Sequence, residues 1–193
     1  GIMGKRAIGR RKEKGRRDMV LFNSDYTEGA HPKIMELMMS SNMEQTGGYG
    51  MDAYCDKARA LIRQQCGRED IDVQFLVGGT QTNLTVIAAT LRPHQGVISA
   101  DTGHINVHET GAVEATGHKV IALPSADGKL TAQQVLDCYH EHWNDATHEH
   151  IVQPGMVYIS NPTEIGSIYH RSELQALAAA CRECGLPLFM DGA

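Results

Sequence analysis

Val73-Gln74-Phe75-Leu76-Val77-Gly78-Gly79-Thr80-Gln81-Thr82-Asn83 reads as a buried strand that runs through a glycine pair into a helix. A short apolar run closed by glycine fits a strand with both faces covered. At the turn, glycine lets the backbone approach an anion closely, and the first-turn N–H groups with the helix dipole favour a phosphate. The Thr80 hydroxyl offers one more donor. The stretch has neither the GxxxxGK[ST] of a P-loop nor the GxGxxG of a dinucleotide fold, so a single phosphate fits better than a pyrophosphate. The same absence disfavours a nucleotide-binding domain.

The alternation continues on both sides. Upstream, helices are expected over Lys33–Met43, entered through Pro32, and over Met51–Cys66, stopped by Gly67. Downstream, a helix over Asn83–Leu91 is followed by a strand at Val97–Ala100, a helix near Asn106–Thr116 and a strand at Lys119–Leu123. A helix over Thr131–Trp143 capped by Thr131, a strand at Met156–Ser160, a helix over Ser172–Cys184 capped by Ser172 and a strand at Pro187–Met190 complete the reading. This order predicts an α/β architecture, a mainly parallel sheet with helices on both faces. Ligands of such sheets bind beyond the carboxyl ends of the strands. Three places then matter: after Val77, after Ala100, and Asp191 at the end of the last strand.

The bulk composition narrows the classes. Of 193 residues 41% are hydrophobic and 21% charged, a globular balance with no apolar run of membrane-spanning length. Residues 1–18 hold eight basic and two acidic side chains, which leaves about −11 on the remainder against a net charge of −5. A body of that sign repels nucleic acid and anionic lipid, so neither nucleic acid nor membrane is expected as a partner. The basic head reads as a leader or tag-like extension ahead of a start at Met19, with residues 19–193 forming the folded part. Five cysteines at irregular spacing predict free thiols in a reducing compartment, the cytoplasm. Cys181 and Cys184 have CxxC spacing but lie in a helical stretch. The run His140 to His150 reads as a solvated helix end and loop rather than a metal site.

Chemistry gathers at the strand ends. A carboxylate such as Asp191 at a strand terminus needs a partner, because an isolated buried charge is costly. Taken alone it would pair with an arginine or cap a turn; beside a phosphate loop, a protonated pyridine nitrogen becomes an alternative. His104, four residues past the second strand, could lay its imidazole on an aromatic ring.

The ordered series Asn23-Ser24-Asp25, Gly29-Ala30-His31-Pro32, Gly48-Tyr49-Gly50, Gly79-Thr80-Gln81-Thr82-Asn83, His104, Glu109-Thr110-Gly111-Ala112, Asn161 to Gly166 and Asp191-Gly192-Ala193 resembles the low-specificity threonine aldolases and their β-eliminating lyase relatives. The resemblance runs from about residue 20 to the end. It implies the pyridoxal 5′-phosphate (PLP) transferase fold, here the N-terminal arm and part of the large PLP-binding domain. It also implies cleavage of β-hydroxy-α-amino acids, L-threonine giving glycine and acetaldehyde, by a homodimer or homotetramer. Gly79 and Thr80 would hold the phosphate, His104 would stack on the pyridine ring and be the catalytic candidate, and Asp191 would meet the ring nitrogen. Ser24 and Tyr49 would bind the amino-acid substrate, Tyr49 often across a subunit boundary. Thr163 and Glu164 fall near the cofactor without an assigned role. In the family an arginine follows Asp-Gly-Ala and a lysine further on holds the cofactor covalently. Neither lies within these 193 residues, so the chain is expected to be a front half and inactive alone. A β-eliminating lyase and a non-catalytic fragment stay open as alternatives.

Overall fold

The computed structural model describes residues 29–192. The basic segment 1–18 and Ser24 lie outside the described residues. The chain divides into two compact units, one ending at Cys66 and one starting at Gly67. In the first, α1 (Pro32–Ser41) opens on its proline, with His31 Nδ1 accepting from Lys33 N at 3.2 Å. Helix α2 (Ala53–Cys66) is started by Asp52, whose carboxylate accepts from the backbone of Tyr54 and Cys55 at 2.9 and 3.0 Å. It ends at Gly67 (φ 63°), a conformation open to glycine at little cost.

The second unit begins with α3 (Gly79–Thr90), then β1 (Gln95–Ala100), the short turns α4 (His104–Val107) and α5 (Ala112–Ala115), and β2 (Val120–Leu123). Helix α6 (Ala132–Asn144), a 3₁₀ turn at His148–His150, β3 (Gln153–Asn161), α7 (Arg171–Cys184) and β4 (Leu188–Gly192) follow. Among the described residues four strands form one sheet, in the order β2-β1-β3-β4, and every pairing is parallel. The chain leaves β1 to one side for β2 and returns to its other side for β3. The carboxyl ends of β1 and β3 therefore flank a topological switch point, the place where such sheets bind ligands.

Both faces of the sheet are covered, as its apolar strands require. Ile98, Val157 and Ile159 pack with Val135 of α6 and Leu177 and Cys181 of α7. Their neighbours Val97, Met156 and Tyr158 point the other way, onto Ile87 of α3, Ile105 and Val113. This is the period of two in a strand, with a core on either side. Thr131 caps α6 through a capping box with Gln134, as the sequence predicts. The five cysteines are free, and Cys181 and Cys184 are buried on α7. Burial pushes the Cys181 thiol up to about 11, which keeps it protonated.

Four expectations are corrected. Residues 73–77 are not one of the strands; Phe75 and Leu76 are partly exposed and Val77 is 97% exposed. The single helix expected over 106–116 is two turns, separated where Thr110 (φ 54°) and Gly111 (φ 74°) enter the left-handed region and break the helical ladder. Helix α7 starts at Arg171 instead of Ser172, because Glu173 reaches back to accept from His170 N at 2.6 Å. His142, read as solvated, is buried, edge-on to Trp143 and His148.

Candidate functional site

Helix α3 begins four residues earlier than the sequence predicts, and this sets the geometry around it. Gln81 Oε1 accepts from Val77 N at 3.0 Å, and Thr82 Oγ1 donates to Gly78 O at 2.9 Å, so the turn is wound from within. The first intrahelical bond runs from Thr82 N to Gly78 O. The N–H groups of Gly79, Thr80 and Gln81 thus stand outside the ladder at an exposed helix N-terminus. A Cβ built on Gly78 or Gly79 would meet no atom within 4 Å. Crowding within the chain does not demand glycine here; the bare backbone leaves room for an anion to come close.

One turn into α3, Asn83 faces inward beside Ile87 and is 1% exposed. Its Nδ2 donates to Glu109 Oε1 at 2.8 Å and to Asp191 Oδ2 at 2.9 Å. Asp191 sits in β4 opposite Ser160 of β3, and its Oδ2 accepts a second bond, 2.7 Å, from Tyr158. Burial, with the Asp191 carboxylate adding to it, raises the Tyr158 phenol well above the usual tyrosine range, so it stays a donor. Both donors converge on Oδ2 of Asp191. At the other end of the chain of bonds, His104 Nδ1 lies 3.1 Å from Glu109 Oε1. The His104 side chain is 37% exposed while that of Glu109 is wholly buried.

The predicted residues are thus distributed as follows. His104, at the switch point past β1, and Asp191 join one network through Glu109 and Asn83. Gly79 and Thr80 form the first turn of the helix that carries Asn83. Tyr49 belongs to the other unit, where it is fully exposed at φ 60°, an uncommon conformation for a residue of its size. Thr163 is buried and bonded to Ser167 Oγ at 2.7 Å, while Glu164 is exposed. Asn83, Glu109 and Tyr158 are the members that sequence reasoning left without roles. The available signal was polarity at positions whose periodicity marks them as buried: Asn83 four residues before Ile87, and Tyr158 amid a strand of apolar residues.

Comparison with known proteins bears on what this arrangement serves. The family model described as beta-eliminating lyase matches residues 22–193. A low specificity L-threonine aldolase of Pseudomonas aeruginosa is 32% identical over 174 residues, 89% of this chain and 49% of that protein. The chain spans about half the length of the curated relatives it matches. The solved threonine aldolase of Leishmania major superposes with a TM-score of 0.83 at 51% identity, covering 88% of this chain and 48% of that one. An alanine–glyoxylate aminotransferase from Nostoc sp. shares the fold at 19% identity, with a TM-score of 0.61 and coverage of 83% and 40%.

Proposed function

Because the chain belongs to the beta-eliminating lyase family, a family of enzymes, we propose that the whole protein is a PLP-dependent aldolase. Its reaction is the cleavage of β-hydroxy-α-amino acids, L-threonine giving glycine and acetaldehyde. The observation that carries this reading is the bonded chain from His104 through Glu109 and Asn83 to Asp191. It sets a half-exposed imidazole and the Asp191 carboxylate in one frame with the exposed N-terminus of α3.

The donor set fits the cofactor. Gly79 and Thr80 would take the phosphate on unspent backbone N–H groups and a hydroxyl, with no Cβ in the way at Gly79. Asp191 Oδ1 would accept from the pyridine nitrogen, and His104 would cover the ring. Bound there, the protonated ring supplies an electron sink for the Cα–Cβ bond. The remaining work falls to the chain. Tyr158 and Asn83 donate to Oδ2 of Asp191 and so fix the direction of its carboxylate, whose second oxygen would face the ring nitrogen. His104, with Nδ1 against Glu109 Oε1, has Nε2 to hold or move the proton of the substrate hydroxyl. Ser24 is proposed to bind the substrate carboxylate, and Tyr49 to approach the substrate from a neighbouring subunit of a cytoplasmic homodimer or homotetramer.

The test is the full-length protein with PLP and L-threonine. Glycine and acetaldehyde in equal amounts are expected. Pyruvate and ammonia from a β-substituted amino acid, with no glycine from threonine, would select the β-eliminating alternative. An unchanged PLP spectrum in the full-length protein would overturn both.

A further inference from the structure

Glu109 has no part in PLP binding as described above, yet its position is costly. The side chain is wholly buried; Oε1 accepts from Asn83 and lies against His104 Nδ1, and Oε2 is buried with no hydrogen-bond partner. A buried carboxylate with one oxygen unsatisfied is a poor way to fill space, since a leucine of similar volume would avoid the desolvation. It sits where α4 breaks, immediately before Thr110 at φ 54°, a strained place for a β-branched residue. Stability therefore does not account for the carboxylate, whereas its bond to His104 does.

We propose that Glu109 is a positioning residue that acts through His104. Its Oε1 can only accept, so it selects the tautomer with hydrogen on Nδ1 and leaves Nε2 as the free nitrogen on the ligand side. The same oxygen is tied by Asn83 to Asp191. The ring that would cover the cofactor and the carboxylate that would meet its nitrogen are thereby held in register. The His108 ring, 5.6 Å from that of His104, makes no comparable bond. The inference rests on the role given to His104 under the proposed function.

The test is a double-mutant cycle in the full-length protein, with Glu109→Leu, Glu109→Gln, His104→Ala and Glu109→Leu/His104→Ala. PLP affinity is read by absorbance titration of the apoprotein, and kcat and KM for L-threonine are read across pH. Glu109→Leu is expected to lower kcat and PLP affinity about tenfold when His104 is present and less than about twofold when it is absent, because coupled residues are non-additive. Glu109→Gln keeps an acceptor at Oε1 and is expected to restore most of that loss. Equal losses with and without His104, or a glutamine variant as poor as the leucine one, would overturn the positioning role. If the leucine variant does not fold, Glu109→Met, which likewise removes the acceptor, takes its place in the same cycle and is read in the same way. His104→Ala with unchanged affinity and kcat would instead remove the reading of His104 on which the inference stands.

Discussion

Asn83→Asp isolates what the central amide does. The change keeps the shape of a side chain that is 1% exposed, and it turns a donor shared by two carboxylates into a third acceptor. Nδ2 lies 2.8 Å from Glu109 Oε1 and 2.9 Å from Asp191 Oδ2. With all three groups charged, each such contact would cost about 6 kcal/mol at an effective dielectric of ~20. Taking up a proton costs less, so the folded cluster binds one more proton than the unfolded chain. That cost grows from near zero at about pH 4, the unfolded value of the introduced carboxyl, by ~1.4 kcal/mol per pH unit. At pH 7 it reaches about 4 kcal/mol. Because the folded value is raised, the variant keeps its stability at low pH and loses it as pH rises. A protonated carboxyl has one donor where the amide has two, which adds about 1 kcal/mol at every pH. Urea denaturation of variant and parent at intervals from pH 4.5 to 7.5 reads the difference directly. A stability gap that is constant with pH, or that widens toward acid, would refute the reasoning.

Tyr158→Phe removes the 2.7 Å bond to Asp191 in the core and is expected to cost about 1.5–3 kcal/mol in urea denaturation, as bonds to charged groups do. Thr131→Ala breaks the capping box of α6 and should cost about 1 kcal/mol, measured the same way, with no change in PLP affinity. Gly79→Val meets no atom of the chain at its Cβ, so thermal melting should move little, while PLP titration should show about tenfold weaker binding or worse. Burial, with His148 nearby, holds the imidazole of His142 below its ordinary value, while Asp145 acts in the opposite sense. The unfolded chain then binds the proton first, so stability present above about pH 6.5 is lost as pH falls through that value toward the lowered one. His142→Phe should flatten the slope between pH 7.5 and 5.5 in parallel denaturation series.

The parts of the fold set by local rules were legible in the sequence. Apolar runs located β1 to β4 within a few residues, and the central β1 and β3 are buried on both faces. The Thr131 cap of α6 and the glycine stop of α2 follow from bonds made within one turn of chain. Errors fell where non-local or strained geometry decides. Residues 73–77 have the composition of a buried strand, yet among the described residues Phe75, Leu76 and Val77 stay exposed. The helix over 106–116 breaks at Thr110, a residue whose type gives no warning of a positive φ.

The candidate site divides along the same line. Sequence by itself marked the candidate positions: a glycine pair opening a helix, His104 beyond one strand and Asp191 ending another. Each of these is a local feature, a residue type at the end of an element, and such features are written in order along the chain. Only the tertiary structure decided how they connect. Asn83 meets Glu109 across 26 residues and Asp191 across 108, and Tyr158 adds its hydroxyl from the neighbouring strand. Those bonds depend on α3 packing against the face of the sheet that carries Tyr158 and on β4 aligning Asp191 opposite Ser160. Packing and register of that kind are collective outcomes of burying the whole core, and no single motif encodes them.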